Sequence, residues 1–222
     1  IGNLVNAWGF GPDAVNNKPT EDELDYLSSQ VGCDSVVLDT NNLSVKKVRD
    51  ISLDFSSIAK GLAIDKAYDF LIKQKQLESF FIEIGGEIRA TKYKFNMQPW
   101  KAGIIDPLEQ QKIVYAFLSS DFNSFSLATS GDYRNIRLFD EQKLSHTIDT
   151  ITGIPSDYFQ KSVTVISENT MKADALATAL NAMPLNEAIE FSNKNKLLVL
   201  FIVKEENFPH LIFSDELQRV KI

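Results

Sequence analysis

The sequence is poor in the residues that build zinc sites and disulfide frameworks. Its 222 residues include one cysteine, Cys33, and two histidines, His146 and His210. A single cysteine cannot form a disulfide within the chain, so it does not indicate a redox compartment. There is also no Cys-x-x-Cys pair and no histidine-rich segment, which argues against a structural zinc site.

Positive charge and long apolar segments are scarce as well. The chain has 23 Lys and Arg against 30 Asp and Glu, a formal net charge of −7. Nucleic-acid binding needs a basic surface, so we expect no nucleic-acid partner. An anionic ligand would need local positive charge, which a metal ion can supply. The longest apolar run, Leu197 to Val203, is too short for a bilayer span and predicts a buried strand.

The common signatures of dinucleotide and hydrolase scaffolds are missing. There is no G-x-G-x-x-G, Walker loop, H-E-x-x-H or nucleophile elbow. The apolar fraction of 44% is ample for one sizeable core. The sequence begins at Ile1 without a methionine or a signal-peptide pattern. We therefore treat residues 1–222 as one domain and expect its N-terminal part to be absent.

Hydrophobic patterning predicts a mixture of helices and strands. Thr20 followed by Glu23 predicts a capped helix that runs to about Val31. The other predicted helices cover 56–75, 171–183 and 185–193, and residues 52–55 are predicted to be extended. Strands are predicted at 35–39, 43–48, 80–84, 87–93, 100–105, 112–118, 124–129, 134–139, near His146, and at 162–167, 196–204 and 211–213. Because the strands do not alternate regularly with helices, the pattern favours an α+β fold.

The helix that begins at Ser56 and Ser57 is a candidate phosphate site. A helix N-terminus presents unpaired N–H groups and partial positive charge, and Lys60 would add a full charge. An N-capped helix with a solvated lysine is the simpler interpretation of these residues alone. The pattern also predicts one buried apolar face on this helix, formed by Ala59, Ala63, Ala67, Phe70 and Leu71.

Three further segments carry polar residues or glycines of interest. Gly85-Gly86 permits either a plain turn or a close approach of a ligand to the backbone. Asp174 and Thr178 lie four residues apart, so they share a helix face that could offer oxygen ligands to a hard cation. Alternatively, Asp174 offsets the helix dipole and Thr178 bonds to its own backbone. His146, among hydroxyl and carboxyl residues, is either a general base or an ordinary hydrogen-bonded loop histidine.

Taken together and in this order, these segments resemble the FAD:protein FMN transferase (ApbE-like) family, formerly called thiamine biosynthesis lipoproteins. The resemblance spans nearly the whole chain, and its strength lies in the number and order of the matches. The matching segments are Trp8-Gly9-Phe10-Gly11, Asp54 to Gly61 with Asp65, Gly85-Gly86-Glu87, Ser130-Gly131-Asp132-Tyr133, His146 to Asp149 with Thr152-Gly153, Ser162 to Val165, and Ala173 to Leu180.

The resemblance implies an α+β domain with mixed, largely antiparallel sheets and packed helices. It implies a Mg²⁺-dependent reaction in which FMN from FAD is joined to a Thr or Ser of an acceptor protein and AMP is released. Ser57, through its carbonyl, and the Asp174 and Thr178 side chains match the magnesium ligands. His146 matches the residue that activates the acceptor hydroxyl, and we add the hypothesis that Asp149 orients its imidazole. The candidate FAD contacts are Asp54, Lys60, Gly85, Gly86, Gly131 and Ile148.

The resemblance also suggests partners and a location. The acceptor would be a flavin-bearing subunit of a membrane redox complex, and the full-length protein would be a lipoprotein on the periplasmic side of the bacterial cytoplasmic membrane. One departure from the family pattern is Thr150, which stands where a proline is usual. A Mg²⁺-dependent FAD pyrophosphatase and a non-catalytic flavin-binding protein remain the alternatives.

Overall fold

The computed structural model describes residues 1–13, 17–107, 109, 111–131, 136–139, 142–156, 161–205 and 208–220. The helices are α1 Gly2–Ala7, α2 Glu21–Gln30, α3 Ser56–Lys73, α4 Thr170–Ala182, α5 Leu185–Lys194 and α6 Asp215–Val220. The strands are β1 Val36–Asp39, β2 Ser44–Lys47, β3 Phe81–Ile84, β4 Glu87–Ala90, β5 Lys101–Ile105, β6 Ile113–Leu118, β7 Phe125–Gly131, β8 Ile136–Phe139, β9 Gln142–Ser145, β10 Lys161–Ser167, β11 Leu198–Glu205 and β12 Phe208–Phe213. The α+β prediction is confirmed.

The chain folds into two compact units. The first unit consists of residues 1–55 with 135–157, and the second consists of 56–134 with 158–222. None of the helices within the described ranges is both long enough and apolar enough to cross a membrane.

The first unit is built on a small apolar core. Leu4 and Trp8 of the N-terminal segment pack with Ile148, and apolar side chains of α2 join them. The Trp8 indole N–H donates to the carbonyl of Gly153 at 2.8 Å, which satisfies the polar edge of a buried ring. At the start of α2, Thr20 and Glu23 form the capping box that the sequence predicts. The described part of this unit includes the antiparallel strand pairs β1–β2 and β8–β9.

The second unit contains a six-stranded sheet in the order β12-β11-β10-β7-β4-β3, and each neighbouring pair is antiparallel. Successive side chains of a strand point to opposite faces, so the sheet has two apolar sides. Ala128, Val163 and Val199 face α4 and α5. Leu127, Ile166 and Leu200 face the other way, toward the β5–β6 hairpin and α6.

Helix α3 differs from its prediction in the face that it buries. Its buried residues are Gly61 and Ile64, whereas Ala59, Ala63 and Phe70 are exposed. The predicted apolar face is therefore wrong. The physical reason is that α3 packs closely on α4, and only a residue without a side chain fits where the two backbones approach.

Other differences from the predictions are confined to short segments. Residues 51–55 form neither helix nor strand, and the short helices α1 and α6 were not predicted. Helices of six residues are marginal by themselves, so α1 and α6 depend on burying Leu4 and Leu217.

Candidate active site

Gly61 of α3 lies directly against the first turn of α4. A Cβ on Gly61 would lie 2.5 Å from the carbonyl oxygen of Thr170 and 2.6 Å from the Cα of Met171. At this contact the Gly61 N–H donates to Oδ2 of Asp174 at 3.0 Å. The carboxylate of Asp174 is therefore drawn onto the first turns of α3, with only 3% of the residue exposed.

Asp65 fixes the position of α4 relative to α3. Its carboxylate accepts hydrogen bonds from the N–H groups of Thr170 at 3.0 Å and Met171 at 2.9 Å. These N–H groups lie at the start of α4 and therefore have no acceptor within the helix. The same carboxylate accepts from the Arg89 guanidinium at 2.6 Å. Arg89 in turn lies over the ring of Tyr68, 4.1 Å from its centre. This network holds Asp174, one turn further along α4, in place.

An ion pair between a half-exposed lysine and a buried carboxylate lies beside Asp174. The ammonium of Lys60 donates to Oε1 of Glu87 at 2.5 Å, and the Glu87 side chain is 2% exposed. Burial raises the pKa of Glu87; the Lys60 ammonium opposes this shift, and the charge of Asp174 adds to it. Burial also raises the pKa of Asp174, while the hydrogen bond from the Gly61 N–H and the charge of Lys60 lower it. Lys60, Glu87 and Asp174 thus form one electrostatically coupled group, which we call the acid–lysine cluster.

The glycine turn between β3 and β4 lies next to this cluster. Gly85 and Gly86 have φ of +65° and +106°, a backbone conformation that side chains disfavour. The Gly86 N–H donates to Oε1 of Glu83 at 2.7 Å. A Cβ on Gly85 would lie 3.5 Å from Cδ of Lys60 and 3.6 Å from Oε2 of Glu87. The predicted turn is therefore present, and it borders the lysine that was predicted to contact FAD.

Thr178 lies on the side of α4 that faces the sheet. Its hydroxyl is 3.1 Å from that of Ser130 on β7. Gly131, the last residue of β7, pairs with Ser162 of β10. Asp132 and Tyr133, from the same sequence segment, lie outside the described residues.

The magnesium ligands implied by the resemblance can be tested against this geometry. In an α-helix the N–H of Gly61 faces the carbonyl of Ser57, and the same N–H donates to Asp174. The Ser57 carbonyl and the Asp174 carboxylate therefore lie near the same N–H and near each other, and oxygen atoms are the ligands that a hard cation prefers. In the part of the chain that the structure describes, no three His, Cys, Asp or Glu side chains converge on one point. A cation here would be held by a mixed set of carboxylate, carbonyl and hydroxyl oxygens, and the residues fit that description.

The remaining predicted site residues belong to the first unit. His146 is partly buried, and the centre of its ring lies 6.5 Å from the centre of the Phe10 ring. Its Nδ1 is buried and has no hydrogen-bond partner among the described residues. Asp149 instead accepts the N–H of Ile151 at 2.8 Å through Oδ1, as part of a turn. The orientation of His146 by Asp149 does not occur through Nδ1 here and stays a prediction.

Two candidate FAD contacts also lie in the first unit. Ile148 is 6% exposed, and its side chain packs in the core with Leu4 and Trp8. A ligand contact at this position would therefore be made by the backbone. Asp54 is half-buried in the segment that precedes α3. The role of both residues toward FAD stays a prediction.

The sequence did not reveal every member of the site. Asp65 and Glu87 were noted only as parts of matching segments, and Ser130 and Arg89 were given no role. The available signal was a charged residue within an otherwise apolar pattern, at Asp65 on the helix and at Glu87 and Arg89 on the strand. Pattern alone does not indicate which of these charges is buried or what it contacts.

Known proteins resemble this chain over almost its whole length. The ApbE family model matches residues 1–201. Among curated relatives, the FAD:protein FMN transferase of Vibrio cholerae is 37% identical over 208 residues and that of Haemophilus influenzae is 35% identical over 212 residues. These alignments cover 93% of this chain but 61% and 60% of the two relatives, so the chain spans about three fifths of their length.

Solved structures give the same relationship. The flavin transferase ApbE from Vibrio cholerae superposes with a TM-score of 0.80 at 32% identity, covering 98% of this chain and 68% of that one. The ApbE protein from Thermotoga maritima superposes with a TM-score of 0.85 at 26% identity, covering 100% of this chain and 70% of that one. The family model, the sequence relatives and the structures agree, and this chain belongs to the ApbE family.

Proposed function

We propose that this protein is an FAD:protein FMN transferase that joins FMN to a Thr or Ser side chain of an acceptor protein and releases AMP. The observation that carries the proposal is the acid–lysine cluster, placed where the Gly61 N–H of α3 meets Asp174 of α4. It combines a lysine, a helix N-terminal region and a buried carboxylate, which are the groups that suit a pyrophosphate and a cation. The names of the relatives give a transfer of FMN from FAD to a protein, and the family resemblance implies the Thr or Ser acceptor and the release of AMP.

We propose Mg²⁺ as the cation, with Asp174, Thr178 and the carbonyl of Ser57 as its protein ligands. When bound, Mg²⁺ neutralises negative charge on the phosphates of the substrate. Ser130 contacts the Thr178 hydroxyl and would set its direction. Three protein ligands leave coordination positions for water and a phosphate oxygen, as Mg²⁺ prefers.

The chain's own groups would bind and orient FAD. The ion pair with Glu87 fixes the position of the Lys60 ammonium before a phosphate binds. Gly85 and Gly86 let the backbone approach a ligand closely. We assign the remaining FAD contacts to Gly131, Asp54 and the backbone at Ile148.

The reaction moves the FMN phosphorus from the AMP oxygen to the acceptor hydroxyl oxygen. The acceptor hydroxyl oxygen forms a bond to the FMN phosphorus, the bond between that phosphorus and the bridging oxygen breaks, and AMP leaves with the electron pair. The hydroxyl proton goes to the imidazole of His146, because a Thr or Ser hydroxyl is a weak nucleophile. Nδ1 of His146 is buried and has no hydrogen-bond partner among the described residues. Asp149 remains a candidate for orienting the ring.

We also propose that the acceptor is a flavin-bearing subunit of a membrane redox complex. The full-length protein would then work as a lipoprotein on the periplasmic side of the cytoplasmic membrane. These two proposals rest on the family resemblance alone.

The test is AMP release from FAD together with mass spectrometry of an acceptor peptide. The reaction is run with Mg²⁺ or with EDTA, on a peptide that contains one Thr and on a matched peptide with Val in its place. Mg²⁺-dependent AMP release and an FMN-sized mass gain on the Thr peptide alone would support the transferase. AMP release without a mass gain would indicate a pyrophosphatase. FAD that binds but stays intact, also in a longer version carrying an upstream segment, would indicate a flavin-binding protein.

A further inference from the structure

Glu87 is a buried carboxylate with one oxygen that its neighbours do not satisfy. The residue begins β4 and is 2% exposed. Its Oε1 accepts from Lys60 at 2.5 Å, whereas Oε2 has no hydrogen-bond partner among the described residues. A buried acceptor without a donor destabilises the folded protein, and a charged acceptor does so more strongly. Oε2 therefore needs a donor that is not part of the described chain.

The charges of the acid–lysine cluster indicate what that donor belongs to. Two carboxylates, those of Glu87 and Asp174, share one ammonium, that of Lys60, which leaves an excess of one negative charge in a buried place. A hydroxyl group of a neutral ligand could donate to Oε2 but would leave the excess charge in place. A hydrated divalent cation supplies O–H donors and removes the excess charge as well.

Direct binding of the cation to Glu87 is disfavoured by Lys60. The ammonium already lies 2.5 Å from Oε1, so an inner-sphere cation on the same carboxylate would be repelled by it at close range. A water molecule between the cation and Oε2 increases that separation. Mg²⁺ normally retains several of its waters in proteins, and such waters are strong donors.

The glycine turn puts no side chain against this oxygen, which is itself buried in the cation-free protein. Gly85 has φ of +65°, and a Cβ there would lie 3.6 Å from Oε2 of Glu87. That distance is ordinary van der Waals contact, so any side chain at this position would cover the oxygen.

We propose that Glu87 is an outer-sphere ligand of the divalent cation held at Asp174, with Oε2 accepting a hydrogen bond from a metal-bound water while Oε1 holds Lys60. The inference rests on the proposed function, because it requires a cation at Asp174. One carboxylate then fixes both the lysine and the cation that face the substrate phosphates. Glu87 is a positioning residue in this arrangement, since it acts through Lys60 and the metal-bound water.

The test is Mn²⁺ binding to the wild-type chain and to Glu87→Gln, measured without FAD by electron paramagnetic resonance. Mn²⁺ shares the preference of Mg²⁺ for oxygen ligands. Glutamine has the shape of glutamate but only one acceptor oxygen. If that oxygen accepts from Lys60, an amide N–H₂ takes the place of Oε2 and cannot accept from water. We expect Mn²⁺ affinity to fall 10- to 100-fold, as is typical for outer-sphere partners of metal ligands.

Asp106→Asn is the matched control. Asp106 is also a buried acid, 1% exposed, and lies 3.9 Å from Lys112 at the end of β5. Removing this charge should leave Mn²⁺ affinity as in the wild type. A second readout separates positioning from loss of structure: Glu87→Gln should need more Mg²⁺ for half-maximal FAD turnover, and saturating Mg²⁺ should restore kcat.

The outcomes distinguish this inference from the proposed function. Equal Mn²⁺ affinity in the wild type and in folded Glu87→Gln would overturn the inference and leave the metal site at Asp174 standing. Absence of Mn²⁺ binding in the wild type would overturn both. If Glu87→Gln does not fold, a crystal structure of the wild type with Mn²⁺ decides. A metal-bound water within hydrogen-bond distance of Oε2 supports the inference, and a bound metal without one refutes it.

Discussion

Replacing Gly61 with alanine places a methyl group where the backbone of α4 already lies. The new Cβ would be 2.5 Å from the Thr170 carbonyl oxygen, and ordinary contact begins at 3.4 Å. The helices must therefore separate locally by 0.9 Å (3.4 minus 2.5). No rotamer change can relieve the clash, because the atoms that it meets belong to the main chain. The same shift lengthens the hydrogen bond from Gly61 to Asp174 beyond its present 3.0 Å.

The expected magnitude follows from opposing effects. Overpacking costs about 1–3 kcal/mol, and weakening a hydrogen bond to a charged group adds to the loss. Alanine is favoured over glycine in a helix interior by about 1 kcal/mol, which offsets part of it. We expect a net loss of about 2 kcal/mol, or roughly 4–8 °C in Tm for a chain of this size. Mn²⁺ affinity should fall too, because Asp174 moves with α4.

Thermal unfolding followed by circular dichroism, with a Mn²⁺ titration, tests this prediction. The matched control is Ala63→Gly, on the exposed side of the same helix. It should cost only the helix propensity, about 1 kcal/mol, and leave Mn²⁺ binding unchanged. If Gly61→Ala were instead more stable than the wild type and bound Mn²⁺ equally well, the close contact between α3 and α4 and its link to Asp174 would be refuted.

Three further predictions concern single side chains. Burial raises the pKa of Asp174, so its ionisation destabilises the cation-free protein as pH rises above the ordinary carboxyl pKa. Asp174→Asn should therefore be at least as stable as the wild type at neutral pH in EDTA, with a weaker pH dependence of Tm, and Mg²⁺ should raise Tm only in the wild type. His146→Ala should keep FAD affinity and slow peptide flavinylation; lost FAD binding with normal turnover of the remaining complex would contradict the base role. Asp65→Asn should cost about 1–3 kcal/mol of stability by removing the counter-charge of Arg89 and an acceptor at the start of α4. Urea unfolding measures this loss, and the same change at exposed Asp69 should alter the urea midpoint little. Equal effects at both positions would contradict the role of Asp65 in holding α4 against α3.

Local signals in the sequence predicted the elements well. The Thr20–Glu23 pair marked the start of α2, and the serines at 56 and 57 marked the start of α3. Gly85-Gly86 marked the turn between β3 and β4. In each case the residues that determine the structure are neighbours in the chain, so capping and turn chemistry are sufficient to predict it.

Contacts between distant segments were harder to predict. Ala59, Ala63 and Phe70 of the apolar face expected on α3 are exposed, whereas Gly61 is buried where α4 approaches too closely for a side chain. Hydrophobic patterning does not predict where the backbones of two helices approach each other. The partners of Glu87 and Asp65 lie 27 and 105 residues away. A charged residue in a strand or helix becomes a site residue only through tertiary contacts that its neighbours in sequence do not determine.

The most direct test of the central claim is mass spectrometry of a Thr-containing acceptor peptide after incubation with FAD, using the wild type and Asp174→Ala side by side. The account predicts an FMN-sized mass gain with the wild type in Mg²⁺, and none with Asp174→Ala or in EDTA, because the buried carboxylate is the charged ligand of the cation. A full mass gain with folded Asp174→Ala, or with the wild type in EDTA, would contradict it.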